Sequence, residues 1–118
     1  MKLHEELLGD LTVVSLEGQV DSITASELET GLMAVLDRGV KELLLDCGEL
    51  GYINSAGLRV FLLVAKRLEQ EKGLLGFCAL SSNVHLIFST IGFDRILTIY
   101  ATREEALSKM QSLTSKAA

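Results

Sequence analysis

A small polar cluster, Asn54-Ser55-Ala56-Gly57, interrupts two apolar runs in the stretch GYINSAGLRVFLLVAK (residues 51–66). Ser55 carries a hydroxyl that can serve as nucleophile, helix cap or phosphate acceptor. The nucleophile reading needs a sharp G-x-S-x-G turn and an adjacent base. That turn is absent around Ser55, and His4 and His85 lie far from it in sequence without an evident orienting partner. Both histidines read as surface or satisfied core residues. Asp46 and Glu49 lie near the expected carboxyl end of a strand, where α/β proteins place their sites, but two acids alone do not make a catalytic pair. No His/Cys spacing suits a metal, and no phosphate-binding glycine loop is present, so neither an enzyme nor a cofactor is expected.

The two remaining roles of the cluster are compatible. Asn54 or Ser55 starts a helix and can accept a hydrogen bond from a first-turn N–H. A phosphate on Ser55 would meet unpaired backbone N–H groups and the positive end of the helix dipole. It would add about −1.5 to −2 charge to the surface without an internal rearrangement. Ala56 and Gly57 are small, so a second protein is expected to approach closely there.

The totals narrow the class. The chain has 118 residues, 48% hydrophobic and 23% charged, as expected of one globular domain spanning 1–118. A formal net charge of −5 argues against direct nucleic-acid binding, which calls for a basic face. No stretch approaches the roughly 18–20 apolar residues of a membrane span. Residues 1–10 lack the apolar run of a secretory signal, so a cytoplasmic location is expected. Cys47 and Cys78 both sit in apolar segments and read as buried thiols.

The elements that must position the cluster follow from hydrophobic period. Residues 3–8 and 11–16 read as strands joined by Gly9-Asp10. Thr24-Ala-Ser-Glu27 reads as a capping box, followed by Leu28, Leu32, Val35 and Leu36 at helical spacing and Gly39 as the stop. Residues 42–47 (ELLLDC) read as a strand buried on both faces, and residues 48–52 as a short loop leading to the cluster. Leu58, Phe61, Leu62, Ala65 and Leu68 predict the inner face of the central helix, closed by Gly73. A strand over 74–80, a helix capped by Ser81 or Ser82 and stopped by Gly92, and a strand over 97–100 come next. A last helix begins at the capping box Thr102-Arg-Glu-Glu105 and ends near Ser112, with residues 114–118 frayed. The order β-β-α-β-α-β-α-β-α predicts an α/β fold with a mixed, mostly parallel sheet, an N-terminal β-hairpin and about four helices.

Two motifs then carry a family resemblance. Leu43-Leu-Leu-Asp46 with Tyr52-Ile-Asn-Ser-Ala-Gly-Leu58, together with Gly18-Gln-Val-Asp21, resembles the signature of STAS domains, and more narrowly of bacterial anti-sigma factor antagonists. The element order matches that fold across nearly the whole chain. The resemblance implies partner switching. The unphosphorylated form binds an anti-sigma factor that is also a serine kinase, phosphorylation of the matching serine, Ser55, releases it, and a serine phosphatase resets the system. Asp21 matches an acidic position near that serine. The implied partner surface comprises Asp21, Ser22, Asn54, Ser55, Ala56, Gly57 and Arg59. This chain departs from the family pattern at Asn54, where the best-known members carry Asp, and at Arg59, where a small residue is often found. A second reading of the same fold is a non-phosphorylated STAS scaffold or regulatory subunit of a signalling or lipid-transport complex. Nucleotide binding at the start of the helix is a third reading, and a homodimer stays open.

Overall fold

The computed structural model describes residues 1–117, with side chains through Leu113. The chain opens with a hairpin of β1 (Lys2–Leu8) and β2 (Leu11–Val20), paired antiparallel so that Leu8 faces Leu11 across a two-residue turn. Gly9 takes φ of 65° and Asp10 does not share the positive φ. That is the pattern of a type II′ turn, which wants glycine first, so Gly-Asp here is the suitable order and not a reversal of the commoner Asp-Gly. Then come α1 (Thr24–Asp37), β3 (Glu42–Ile53), α2 (Ser55–Gln70), β4 (Leu74–Cys78), α3 (Ser82–Thr90), a single 3-10 turn (Phe93–Arg95), β5 (Ile99–Tyr100) and α4 (Arg103–Ala117). The sheet order is β1-β2-β3-β4-β5, with every pair after the hairpin parallel. The expected α/β fold with a mixed, mostly parallel sheet, an N-terminal hairpin and four helices is therefore what forms.

Several boundaries differ from expectation. The strand expected over residues 42–47 does not stop there. β3 continues through residues 48–52, which were expected as a loop, to Ile53. Its pairing with β2 slips between Ser15 and Glu17 and again between Gly18 and Gln19, with β3 holding the extra residue each time. Each slip is a bulge that rotates the following side chains by one position. Leu43, Leu45 and Cys47 alternate inward as in a plain strand, and the two bulges then bring Leu50 and Ile53 onto the same core face. The last strand is only Ile99–Tyr100, because residues 93–95 wind into the 3-10 turn after Gly92 takes φ of 83°. α4 runs past Ser112 to Ala117, and the fraying expected over 114–118 falls outside the residues described with side chains.

The sheet is covered unequally. One face carries the larger core, where α1, α2 and α3 contribute Leu28, Leu32, Val64, Phe88 and their neighbours over Val14, Leu45, Phe77 and Ile53. The other carries a smaller core in which Ala106 and Met110 of α4 pack on Leu11, Val13, Leu44 and Cys78. The buried face of α1 is the expected one. That of α2 is rotated: Val60 and Val64 are buried, while Leu62 and Ala65 are not. Gly57 sets this rotation. A Cβ there would lie 2.5 Å from Val20 Cγ1 and 2.7 Å from Ile53 Cγ1, so the helix rests its backbone directly on the sheet through residue 57.

Candidate functional site

The site is built where β2 and β3 end side by side. Val20 pairs with Ile53, and the Asn54 N–H donates to the Val20 carbonyl at 3.0 Å. The two segments leaving these strands, Asp21-Ser22-Ile23 and Asn54-Ser55, are thereby held together. Each opens a helix.

At α2 the cap is Asn54 and not Ser55. The Asn54 Oδ1 accepts the Gly57 N–H at 3.0 Å, and its carbonyl accepts the Leu58 N–H at 3.0 Å. Ser55 is the first helical residue. It is exposed, and its hydroxyl makes no hydrogen bond among the described residues. Asparagine wins because a cap needs an extended backbone and a short side-chain acceptor, and Asn54 supplies both, with φ of −97° and ψ of −178°. The Ser55 hydroxyl is thus left free on a fixed backbone.

At α1 the expected capping box does not form. Thr24 lies inside the helix, and Asp21 caps it from three residues upstream. The Asp21 carboxylate accepts from the N–H of Ile23 and of Thr24, both at 2.9 Å, and its carbonyl accepts the Ala25 N–H at 2.9 Å. Thr24 Oγ1 accepts the Asp21 N–H at 2.9 Å and donates to the Gln19 carbonyl at 2.8 Å. One Asp21 carboxylate oxygen takes both first-turn donors, while the Thr24 hydroxyl is already engaged by the Asp21 N–H and the Gln19 carbonyl. The N–H of Thr24, then that of Ile23, hold the Asp21 carboxyl below its ordinary range, so it is charged on an exposed turn.

The other expected surface residues divide. Ser22 is exposed beside Asp21. Ala56 is half-buried against the core, and Gly57 is buried between Val20 and Ile53, so its smallness serves helix–sheet packing rather than a partner's approach. Arg59, one turn along α2, is exposed and lies 3.5 Å from Glu29 of α1. Two residues outside the expected set belong here. Ile23 is 78% exposed on the turn that Asp21 pins. An apolar residue between Asp21-Ser22 and Thr24, too isolated to belong to any periodic run, is the sequence signal for it. Glu29 was hidden because its relation to Arg59 exists only once α1 and α2 are packed.

The remaining reactive groups lie apart from this cluster. Asp46 sits mid-strand instead of at the carboxyl end, half-buried, accepting the Gly48 N–H at 2.9 Å and facing Arg103 at 3.4 Å; Glu49 is exposed. Cys47 and Cys78 are free buried thiols, as expected. Among the described residues no group of three or more His, Cys, Asp or Glu side chains could hold a metal ion, and no helix is long and apolar enough to cross a membrane.

Comparison with known proteins agrees with this architecture. The model of the STAS domain family matches residues 4–106. A Bordetella bronchiseptica protein, BtrV, provisionally named an anti-sigma factor antagonist, is 40% identical over 95% of this chain and 97% of its own length. The crystal structure of an anti-sigma factor antagonist from Mycobacterium paratuberculosis superposes with a TM-score of 0.85 at 25% identity, covering 93% of both chains. A Thermotoga maritima structure superposes with a TM-score of 0.88 at 19% identity, covering 92% of this chain and 94% of that one, a likeness of fold. With the family model spanning the sheet, the capped turn at Asp21 and the Asn54-Ser55 helix start, the chain belongs to the STAS domain family.

Proposed function

We propose that this protein is an anti-sigma factor antagonist that works as a non-catalytic, phosphorylation-controlled docking module. In its unmodified form it binds an anti-sigma factor serine kinase through the turn Asp21-Ser22-Ile23 and the start of α2. The observation that carries the reading is the Ser55 hydroxyl: exposed, without a hydrogen-bond partner among the described residues, and held at the first position of a helix whose cap is another residue. In the kinase complex Ser55 Oγ attacks the γ-phosphorus of ATP. The Oγ–P bond forms, the bond to the leaving ADP oxygen breaks, and the hydroxyl proton passes to a base of the kinase. The phosphoserine then sets about −1.5 to −2 charge beside the already anionic Asp21, and like-charge repulsion with desolvation cost at the docking face expels the kinase. A serine phosphatase resets the switch.

Within this reading Asn54 keeps the capping geometry and lacks the charge of an aspartate. The kinase must then find its acid at Asp21, which the paired strands deliver to the same edge. Incubation with the cognate kinase and ATP, followed by site-resolved mass spectrometry, tests the reading. Phosphate is expected at Ser55 and absent from Ser55→Ala. Ser55→Asp is expected to weaken kinase binding by about tenfold or more, on the order of 1.4 kcal/mol, with an unchanged circular dichroism spectrum. Equal binding of the two forms would remove the charge switch, and co-purification with transporter subunits in place of a kinase would remove the partner.

A further inference from the structure

Arg59 is the most loosely held arginine among those that form ion pairs. Arg67 lies 2.8 Å from Asp37 and 3.4 Å from Glu71, Arg103 lies 2.7 Å from Glu6 and 3.4 Å from Asp46, and Arg38 pairs closely with Glu5. Arg59 has one contact, at 3.5 Å, to Glu29, and its side chain is 66% exposed. A single long pair between exposed groups contributes little and dissolves readily in favour of a stronger acceptor.

Such an acceptor arises one turn away. Ser55 and Arg59 stand at positions i and i+4 of α2. Side chains on a helix lean toward its N-terminus, so the turn that contains Ser55 lies within the reach of the long Arg59 side chain, whose guanidinium now rests 3.5 Å from Glu29. The acid-before-base order at this spacing is the favoured one. A phosphate offers roughly twice the charge of a carboxylate and three oxygens that a guanidinium can bridge with two parallel hydrogen bonds. Glu29 offers one carboxylate from a neighbouring helix, itself 39% exposed.

We infer that phosphorylation of Ser55 moves Arg59 from Glu29 to the phosphate, making Arg59 the positioning residue for the phosphoserine and freeing the Glu29 carboxylate on α1. The inference rests on Ser55 being the modified residue. Its consequence is that the modification is read at two places. The phosphate is pinned and partly neutralised at the start of α2, and a second negative charge is uncovered on α1. Asp21, anionic on the adjoining turn, opposes the phosphate charge whether or not Arg59 is present, so variants at 59 isolate the clamp.

The test installs phosphoserine at position 55 during synthesis, which makes it independent of any kinase. The second ionisation of the phosphate is followed by phosphorus NMR against pH in the wild-type sequence, Arg59→Gln and Glu29→Gln. The phosphate of the wild-type chain is expected to ionise about 0.5 pH unit below that of Arg59→Gln, and that of Glu29→Gln at or below the wild-type value. Coincident titrations of wild type and Arg59→Gln would overturn the inference, as would a Glu29→Gln phosphate that ionises above wild type. Failure of the kinase to modify Ser55 would instead strike the proposed function and leave this titration intact. Arg59 and Glu29 project from the surface, and matching circular dichroism spectra of the three proteins establish that the fold is retained.

Discussion

At the scale of single residues, the site consists of two helix caps, a carboxamide and a carboxylate, that differ by one charge. Asn54 caps α2 as a neutral group, and Asp21 caps α1 as an anion. Removing the first acceptor in Asn54→Ala should cost about 1 kcal/mol, the usual worth of a helix cap, and lower the thermal midpoint. Asn54→Asp keeps the acceptor and adds charge at the positive helix end, so its midpoint should lie at or above that of the wild type at neutral pH. Asp21 has a depressed folded-state pKa, so the unfolded chain binds its proton first as pH falls. Its contribution is therefore complete above the ordinary carboxylate range and is lost as pH drops through the lower folded value. Asp21→Asn should be less stable than wild type by a constant margin from pH 7 to about pH 5, and the margin should close below about pH 4. Thermal melts of both proteins from neutral pH down into the acid range decide it; a gap that does not narrow as pH falls below the ordinary carboxylate range would mean that the charge of Asp21 is not what holds the turn. The identity of both caps was within reach of residue chemistry, yet the sequence pattern favoured Thr24 and left Asn54 and Ser55 undivided. A capping box is a local pattern, whereas Asp21 and Asn54 cap because strand pairing fixes where each strand ends and each helix begins.

At the scale of elements, the legible parts were those with an undisturbed period. Leu28, Leu32, Val35 and Leu36 mark the buried face of α1, and the unbroken run at residues 43–45 marks a strand covered on both sides. The second half of β3 was not legible because two bulges change the spacing of its buried residues from two to three, at Cys47, Leu50 and Ile53. That spacing, with Gly48 and Gly51 between, imitates a loop. The rotation of α2 was hidden for a related reason. Leu58, Phe61, Leu62 and Ala65 form a plausible apolar stripe, but the choice between it and one through Val60 and Val64 depends on Gly57 touching the sheet. Gly57→Ala tests this contact, because two effects oppose each other. Alanine is the better helix former by about 1 kcal/mol, so an exposed glycine would gain stability on replacement. Here the new methyl meets the branched side chains of Val20 and Ile53, both fully buried and unable to swing away. Overpacking of this kind costs about 1–3 kcal/mol, so net destabilisation is expected, with α2 displaced at the end that bears Ser55. A stability equal to or above wild type in denaturant melts would show that residue 57 does not set the seat of the helix.

At the scale of the molecule, one sheet separates two cores of unequal strength. The larger is closed by three helices and contains Phe61, Phe77, Phe88 and Phe93, whose rings meet edge to face at 5.0 to 6.1 Å between centroids. The Ser55 site stands on this side, so it is presented by a helix seated on the larger core. The smaller core depends on Ala106 and Met110 of α4, with Arg103 tying the start of that helix to Glu6 and Asp46. The element order was enough to foresee four helices around a mixed sheet, but not this three-to-one division, which is decided by which face each crossover takes. Cys47 and Cys78 report on the two halves, since the first belongs to the larger core and the second lies under α4. Burial raises both thiols above their ordinary range, Cys78 to about 12, so neither forms the reactive thiolate in the closed protein. Each must be uncovered before it can be alkylated or react with a disulfide reagent. Among the described residues, Ala106 and Met110 are the buried side chains of α4, and a helix seated on a small core opens with less free energy than the whole fold. Cys78 should therefore be labelled at least about tenfold faster than Cys47 under native conditions, a difference of about 1.4 kcal/mol in opening free energy. Single-thiol variants made by Cys→Ala replacement give the two rates separately. Met110→Ala should speed the labelling of Cys78 more than that of Cys47, because it loosens only the helix that covers Cys78. Equal rates in both backgrounds would instead mean that the two cores open as one cooperative unit, and that α4 is as firmly seated as the helices beneath the Ser55 site.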